Sequence, residues 1–450
     1  MIHHEGTKGT KGTKEKPQRL FVVLRVLRAF VVSLLTIGAT TCGRAGDQDA
    51  AVTLRFWAFG REGEEVQELI PEFERRNPGI RVQVQQIPWI AAHEKLLTAY
   101  VGDATPDLAQ IGNTWIPEFA ALGALEPLDG WIVRSAVVDS TAYFGGIWST
   151  NTIGDTVFGV PWYVDTRVIF YRKDILARAG YSEMPATWTG WRRALEAVKR
   201  ELGPGRYAIF LPTNEWAQPY VFGMQAGSTL LDSAGRYGVF SDSAFRRAFD
   251  FYVGLFESGL APALGNVEIA NVYQEFARGR FAMWITGPWN LGEFRKRLPA
   301  ELQDDWGTAP LPAPSGDSAG VSIAGGASLA MFRASPNKEA AWRLVEFLAS
   351  TEQQDRFYRL TGDLPARTDA WKATGLADDP EARAFWLQLH RVRPIPKVPE
   401  VELIATRVFE SAEQVIRGGR PAGAALEELD RDVDRILEKR RWMLDREAAR

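Results

Sequence analysis

Gly159-Val-Pro-Trp-Tyr-Val-Asp-Thr-Arg-Val-Ile-Phe-Tyr-Arg-Lys-Asp174 is the stretch on which the reading of this chain turns. Its second half, Val168 to Tyr171, is a β-branched and aromatic run of the length of a buried strand. Its first half sets Pro161, Trp162, Tyr163, Asp165 and Arg167 at the mouth of that strand. Those are rings, a carboxylate and a guanidinium. Two readings are open from these residues. Either a loop feeds a core strand, with Trp162 and Tyr163 as packing, or the chain crosses here between two lobes and carries ligand-contacting groups.

Working outward toward the N-terminus, Val52, Leu54 and Phe56 alternate as a first strand, which runs into Trp57-Ala-Phe-Gly60 as a loop. Val66, Leu69, Ile70 and Phe73 recur at helical spacing, with a kink expected at Pro71 and a stop at Asn77-Pro-Gly79. Ile80, Val82 and Val84 alternate as a second strand. This β-α-β order predicts a parallel pair with a right-handed crossover. A helix over about 89–101 and a short strand at Leu108 to Ile111 follow. Open α/β sheets bind ligands beyond the carboxyl ends of their strands. Trp57, Asn113 and Trp115 are therefore expected to face one crevice, with packing on the core as the other reading of Trp115.

On the C-terminal side, Thr187-Trp-Thr-Gly-Trp191 opens a helix to Leu202, and Tyr207 to Leu211 reads as a strand. Thr213-Asn-Glu-Trp216 leaves that strand, so Asn214 and Trp216 are crevice candidates. Residues 275–285 read as a helix turning into a strand, which Gly287-Pro-Trp289 leaves. Pro310, Pro312 and Pro314 make an extended connection, a second crossing. Gly325-Gly326 is either a close backbone approach to a ligand or a bulge. It lacks the spacing of the phosphate loops, so nucleotide binding is not supported. Ser335-Pro reads as a helix cap. Leu364-Pro-Ala-Arg367 reads as a third crossing, and residues 381–444 read as helical.

A chain of 450 residues suggests two or more compact units. Sixteen Trp is a surplus that points to ring-stacking surfaces, because each indole N–H needs a partner when buried. Residues 1–41 read as a leader: a basic stretch, then the uncharged apolar run Ala29 to Thr41, which is short for a membrane span. The single cysteine, Cys42, follows directly. Ala39-Thr-Thr-Cys42 resembles a bacterial lipoprotein cleavage box, with Thr41 departing from the usual Gly, Ala or Ser. Lipidation at Cys42, plain secretion and an uncleaved anchor are the three outcomes. One cysteine excludes an intramolecular disulfide and a Cys-rich metal site. Removing residues 1–41 takes seven basic and two acidic groups from the 53 and 56 of the whole chain, leaving 46 and 54 and a net charge of −8. That balance argues against nucleic acid as a partner. Four His, two of them in the leader, argue against a His-based metal site. No cofactor is expected.

An ordered series of short features runs through the chain. It comprises Phe73 with Asn77-Pro78, Lys95 with Pro106-Asp107, Pro161-Trp-Tyr163 with Asp165 and Tyr171, and Pro185 with Thr187-Trp188. It goes on through Phe276, Gly279, Ala282-Met283, Gly287-Pro-Trp289, Pro310-Leu-Pro312, Gly325-Gly326, Ser335-Pro-Asn-Lys338 and Leu364-Pro-Ala-Arg367. In that order the chain resembles the bacterial extracellular solute-binding proteins of sugar ABC importers, the maltose-binding-protein-like group, over about residues 50–440. The resemblance implies an α/β, two-lobe periplasmic-binding fold of type II, with three crossings and a ligand cleft between the lobes. One lobe would hold 51–162 and 312–363, the other 163–311 and 364–445. It implies a monomeric sugar receptor with no catalytic role, held at the outer face of the membrane through Cys42 and delivering to a permease. Tyr163 and Asp165 match the family's ligand-contacting crossing and Trp289 its stacking tryptophan. Gly326 matches its close backbone approach, Arg367 the arginine after the third crossing, and Asn113 and Trp115 its variable contact loop. Glu62, Glu64 and His93 have two readings, a solvated face or groups that reach the crevice, of which the solvated face is favoured. A secreted glycoside hydrolase is the competing reading. It needs two carboxyl groups across the sugar, and only Asp165 among the favoured residues is acidic. A receptor for glycerol phosphate or another polar ligand is the third; a phosphate would require more Arg and Lys in the crevice.

Overall fold

The computed structural model describes residues 52–316 and 319–449; the leader, Cys42 and the expected cleavage site lie outside the described residues. Nine strands build the two main sheets: β1 (Val52–Phe59), β2 (Ile80–Ile87), β3 (Leu108–Gly112), β4 (Val160–Asp165), β5 (Val168–Arg172), β6 (Tyr207–Phe210), β7 (Phe281–Thr286), β8 (Trp306–Ala309) and β9 (Gly325–Met331). The first sheet has the order β2-β1-β3-β9-β4 and the second β8-β5-β7-β6. β1 pairs in parallel with β2 and with β3, as the β-α-β order predicts, whereas β9 runs antiparallel to both its neighbours. Helices cover both sheets, giving the α/β two-lobe architecture.

Period-two burial divides β1 between two cores. Leu54, Phe56 and Ala58 join Phe73, Leu344, Val345 and Leu348 on one face. Trp57 and Phe59 point to the other, beneath Ala92 and Leu96 of the helix Trp89–Val101. Because β1 continues to Phe59, the expected loop from Trp57 to Gly60 is strand down to its last residue, and Gly60 opens the next helix. Helical spacing over residues 60–76 resolves into Gly60–Glu65, a 3-10 turn Val66–Glu68, and Ile70–Arg76. Pro71 lies in the first turn of the last piece, where its missing N–H costs nothing, so it starts a helix instead of kinking one. Ser335 is likewise displaced from its expected cap. Its hydroxyl donates to Asp107 Oδ1 at 2.5 Å, and the helix begins at Lys338.

The opening stretch proves to be two strands in different sheets. β4 closes one edge of the first sheet and β5 is central in the second, so the chain crosses at the two buried residues Thr166 and Arg167. The expected boundary at 162/163 moves to this point because Tyr163, Val164 and Asp165 pair with Ala327, Gly326 and Gly325 of β9, while Trp162 stacks on Phe357 (centroids 4.2 Å, 24°). Pro161 is tolerated at an edge, where no ladder donor is required. The second crossing runs from β8 through the three prolines to β9. Leu364 to Arg367 is not a crossing. Leu364 O accepts from Val164 N (3.0 Å) and Pro365 bridges Tyr163, so this segment flanks β4. The chain reaches the second sheet from Asp379 and Glu381 onward: Glu381 O accepts from Thr308 Oγ1 (2.6 Å), and in the helix Arg383–Leu389 Phe385 meets Phe170 (6.0 Å) and Gln388 Oε1 accepts from Leu311 N (2.9 Å). Phe144, Trp371 and Trp386 pack together behind the crossings and join the two bodies through one apolar cluster.

Candidate functional site

Between the sheets lies a cavity of about 430 Å³. The first body supplies Glu62, Trp89, Gly112 to Trp115, Tyr163 to Asp165, Gly325, Gly326 and Asp363; the second supplies Trp216, Trp289, Ile395 and Glu402. The carboxyl ends of β1 and β3 open onto it, the position expected for an open α/β sheet.

A hydrogen-bonded chain sets one wall. Phe59 N donates to the buried Gln110 Oε1 (2.7 Å), and Gln110 Nε2 donates to Tyr163 Oη (2.8 Å). Tyr163 Oη donates to Glu62 Oε1 (3.1 Å), whose Oε2 accepts from Trp89 Nε1 (3.2 Å). The phenol thereby has donor and acceptor partners, and both Glu62 oxygens are aimed. Burial holds the Tyr163 phenol well above its ordinary value. It also raises the Glu62 carboxyl, against the hydrogen bonds it accepts. Asp363, just past the left-handed Gly362 that ends the helix Thr351–Thr361, is pushed up to about 7 by burial and then by the negative charge of Glu62. The negative charge of Glu62 thus disfavours ionisation of Asp363.

A second polar group forms at the crossing. Arg167 Nη1 donates to Asp165 Oδ1 (2.5 Å), Arg167 Nη2 faces Glu215 Oε1 (3.7 Å), and its Cζ lies 4.8 Å from the centroid of the Trp289 ring. Burial raises the Asp165 carboxyl, and the adjacent guanidinium opposes that shift. Trp289 itself is 45% exposed, an unusual position for an indole in this chain. Asn113 is buried; its Oδ1 accepts from Ser328 Oγ (2.8 Å), while its Nδ2 has no partner. Trp115 packs on Phe59, Trp89 and His93 and presents its remaining surface to the cavity.

Gly326 carries φ +124° and sits beside a bulge between β9 and β4. A Cβ there would lie 2.2 Å from Tyr163 O. The glycine is therefore required by the register that brings Tyr163 and Asp165 to the cavity.

The structure thus brings seven expected residues to one cavity: Asn113, Trp115, Tyr163, Asp165, Trp216, Trp289 and Gly326. Three lie elsewhere. Trp57 is in the core beneath the helix Trp89–Val101, with Lys95 Nζ 5.1 Å from its ring. Asn214 accepts from Asn266 N (2.8 Å) and closes a turn of its own lobe. Arg367 makes a bidentate pair with Asp369 and donates to Val137 O (2.7 Å), so it fastens two loops and does not line the cavity. Trp89, Thr114, Asp363 and Glu402 escaped the sequence reading. Trp89 was readable only as a helix start. Glu402 belongs to the helix Val401–Ile416, contiguous with nothing else in the site.

A profile of the family described as bacterial extracellular solute-binding protein matches residues 59–355. The chain belongs to that family. This solute-binding protein is similar to the sugar-binding protein MalE of Xanthomonas citri (48% identity, TM-score 0.85, covering 88% of this chain and 99% of that one). It is also similar to an ABC transporter solute-binding protein from Thermotoga lettingae solved with α-D-tagatose (25% identity, TM-score 0.72, 86% and 99%). The diacetylchitobiose-binding protein DasA of Streptomyces coelicolor is 24% identical over 425 residues (89% of this chain, 96% of that one). Each of these relatives is described as a binding protein. Among the described residues no helix of this solute-binding protein is long and apolar enough to cross a membrane.

Proposed function

We propose that the chain captures a neutral sugar or oligosaccharide between its two lobes and delivers it to an ABC importer, without chemistry of its own. The observation that carries this reading is the gathering of Trp115, Trp216 and Trp289 with the hydrogen-bonding groups of Asn113, Glu62 and Asp165 around one cavity. A sugar ring offers apolar C–H faces to indoles and hydroxyls to carboxylates and amides; bonds to an ionised acceptor are the stronger kind. The named ligands of the relatives point the same way. A phosphate or other anion fits poorly. Four carboxyl residues line the cavity, no Lys or Arg does, and the nearby Arg167 is already paired with Asp165 and Glu215. Lipid attachment at Cys42, location at the outer face of the membrane, and action as a monomer complete the proposal.

A panel of mono- and oligosaccharides, read by Trp fluorescence and by the rise in melting temperature on binding, tests it. A neutral saccharide is expected to bind and to be recovered intact. Trp289→Ala is expected to weaken that binding at least tenfold while the unliganded melting temperature stays within a few degrees, since the ring is half-exposed. Release of cleaved sugar would establish hydrolysis instead. Binding only of phosphorylated ligands would overturn the charge argument.

A further inference from the structure

A groove of about 500 Å³, the size of a small-molecule site, lies on the second lobe between the turn Asp232 to Gly235 and the segment Arg393 to Val398. Ile395 lines both this groove and the cavity between the lobes, and no other described residue is common to the two. The floor of the groove is apolar, formed by the buried Met224, Leu230, Leu231 and Val398. Its rim is basic. Arg393, Lys397 and Arg440 line it, against one carboxyl residue, Asp232. That carboxylate is committed to its own hairpin, where Oδ1 accepts from Arg236 N (2.5 Å) and Tyr237 N (3.1 Å).

The three cations lack counter-charge. Arg393 is exposed, and its guanidinium has no ion-pair partner among the described residues. Lys397 Nζ donates to the carbonyls of Ser149 (3.2 Å) and Thr152 (2.6 Å), and Arg440 Nε to Gly235 O (3.1 Å). Burial lowers the Lys397 ammonium, and no carboxylate offsets it. Elsewhere on the same lobe arginines do find acids, as Arg417 does with Glu268 and Glu413. In a mature chain of net charge −8, these cations around an apolar hollow make a local positive field. The backbone of the groove is also strained. Leu230 has φ +67°, one of two non-glycine residues in the left-handed region among the described residues. Its N donates to Ser228 Oγ (3.1 Å) and its O accepts from Val239 N (3.1 Å), so the strain is held in place. Strain of this kind clusters at ligand clamps.

We propose that this groove is a second ligand site, for a phosphate ester with an apolar body, the phosphate held by Arg393, Arg440 and Lys397 and the body resting on Leu230 and Val398. The anion competes with the first lobe for Lys397, because it supplies the ammonium with a counter-charge that the carbonyls of Ser149 and Thr152 do not. Such an ester is either a free small molecule or a lipid headgroup. The site needs no sugar in the cleft.

The test is calorimetry on the folded chain at about 0.15 M salt, with phenyl phosphate as the probe and inorganic phosphate and phenol as its two halves. Phenyl phosphate is expected to bind one to one, about tenfold tighter than inorganic phosphate, with phenol silent. Arg393→Ala is expected to weaken the probe about tenfold at an unchanged melting temperature, since the side chain is exposed and unpaired. Arg391→Ala removes the same charge outside the groove and is expected to leave binding unchanged. Amide hydrogen exchange over residues 149–157 is expected to quicken when the probe binds, as Lys397 leaves its carbonyls. Silence of the free probe, together with co-sedimentation on phosphatidylcholine vesicles that requires phosphatidic acid and is lost in Arg393→Ala, would assign the phosphate to a lipid headgroup. Failure of both probe and vesicles to bind, or equal weakening by the two arginine variants, would overturn the site. Loss of probe binding in Trp289→Ala would place the probe in the cleft and overturn the groove. Binding with unchanged exchange would overturn the competition for Lys397.

Discussion

Asp363 shows how much a single half-buried carboxyl controls. Its folded pKa of about 7 stands above the roughly 3.9 of an unfolded Asp. Between those values the folded chain keeps a proton that the unfolded chain has lost, so stability falls as pH rises through the window. Glu62, also raised, adds to the slope; Arg61 opposes it and Asp165 reinforces it. Asp363→Asn is expected to flatten the decline in melting temperature between about pH 4 and pH 7, measured by thermal melts across that range. An unchanged slope would show that other groups set it. Arg367 makes the opposite case. Its guanidinium is occupied by Asp369 and Val137 O, so Arg367→Ala is expected to cost roughly 1–3 kcal/mol in urea unfolding and to leave sugar affinity unchanged. A loss of affinity with intact stability would return Arg367 to the site. From residues alone, Tyr163, Asp165 and Trp289 were legible because rings and charges sit together beside apolar runs. Asp363 and Glu402 were not, because each is an ordinary acidic residue at a helix end until folding brings it to the cavity.

Among the elements, strand and helix type were read well wherever one period dominated. The helix expected over 89–101 spans Trp89–Val101, and Thr187 caps the next long helix by accepting from Gly190 N (3.1 Å). Ends were read poorly wherever a tertiary partner decided them. Trp57 was expected in a loop, but pairing with Gln85 and Ala109 extends its strand by three residues and turns the indole into the core. The Val160–Asp165 segment escaped recognition as a strand because Pro161 interrupts it, and only its place at a sheet edge makes that harmless. The left-handed Gly326, beside the bulge at Ala327 and Ser328, is the point on which the site register depends. Gly326→Ala must accept φ +124° and a backbone clash. It is expected to lose about 2–3 kcal/mol of stability in chemical denaturation, with sugar binding weakened as Tyr163 shifts. Retention of both would mean that the bulge can relax.

In the whole molecule, few polar contacts bridge the open side of the cavity. The Thr114 hydroxyl donates to Glu402, and Lys397 Nζ donates to Thr152 O (2.6 Å) and Ser149 O (3.2 Å). Burial already disfavours the charged Lys397, lowering its pKa. A Thr114→Val, Lys397→Ala double variant is expected to enlarge the unliganded radius of gyration in solution scattering, with the liganded value recovered at saturation. An unliganded radius that does not change would place the restraint in the apolar cluster around Phe144, Trp371 and Trp386. The two-residue passage at Thr166 and Arg167 has a mechanical consequence. Asp165 ends one sheet, and the next ordered strand belongs to the other. Thr166 and Arg167 are the shortest of the links between the two halves, and the Arg167 side chain grips Asp165 and lies under Trp289. On the sugar-receptor proposal, a ligand that touches Asp165 and Trp289 would bear on the linkage itself, so that recognition and leverage would share the same atoms.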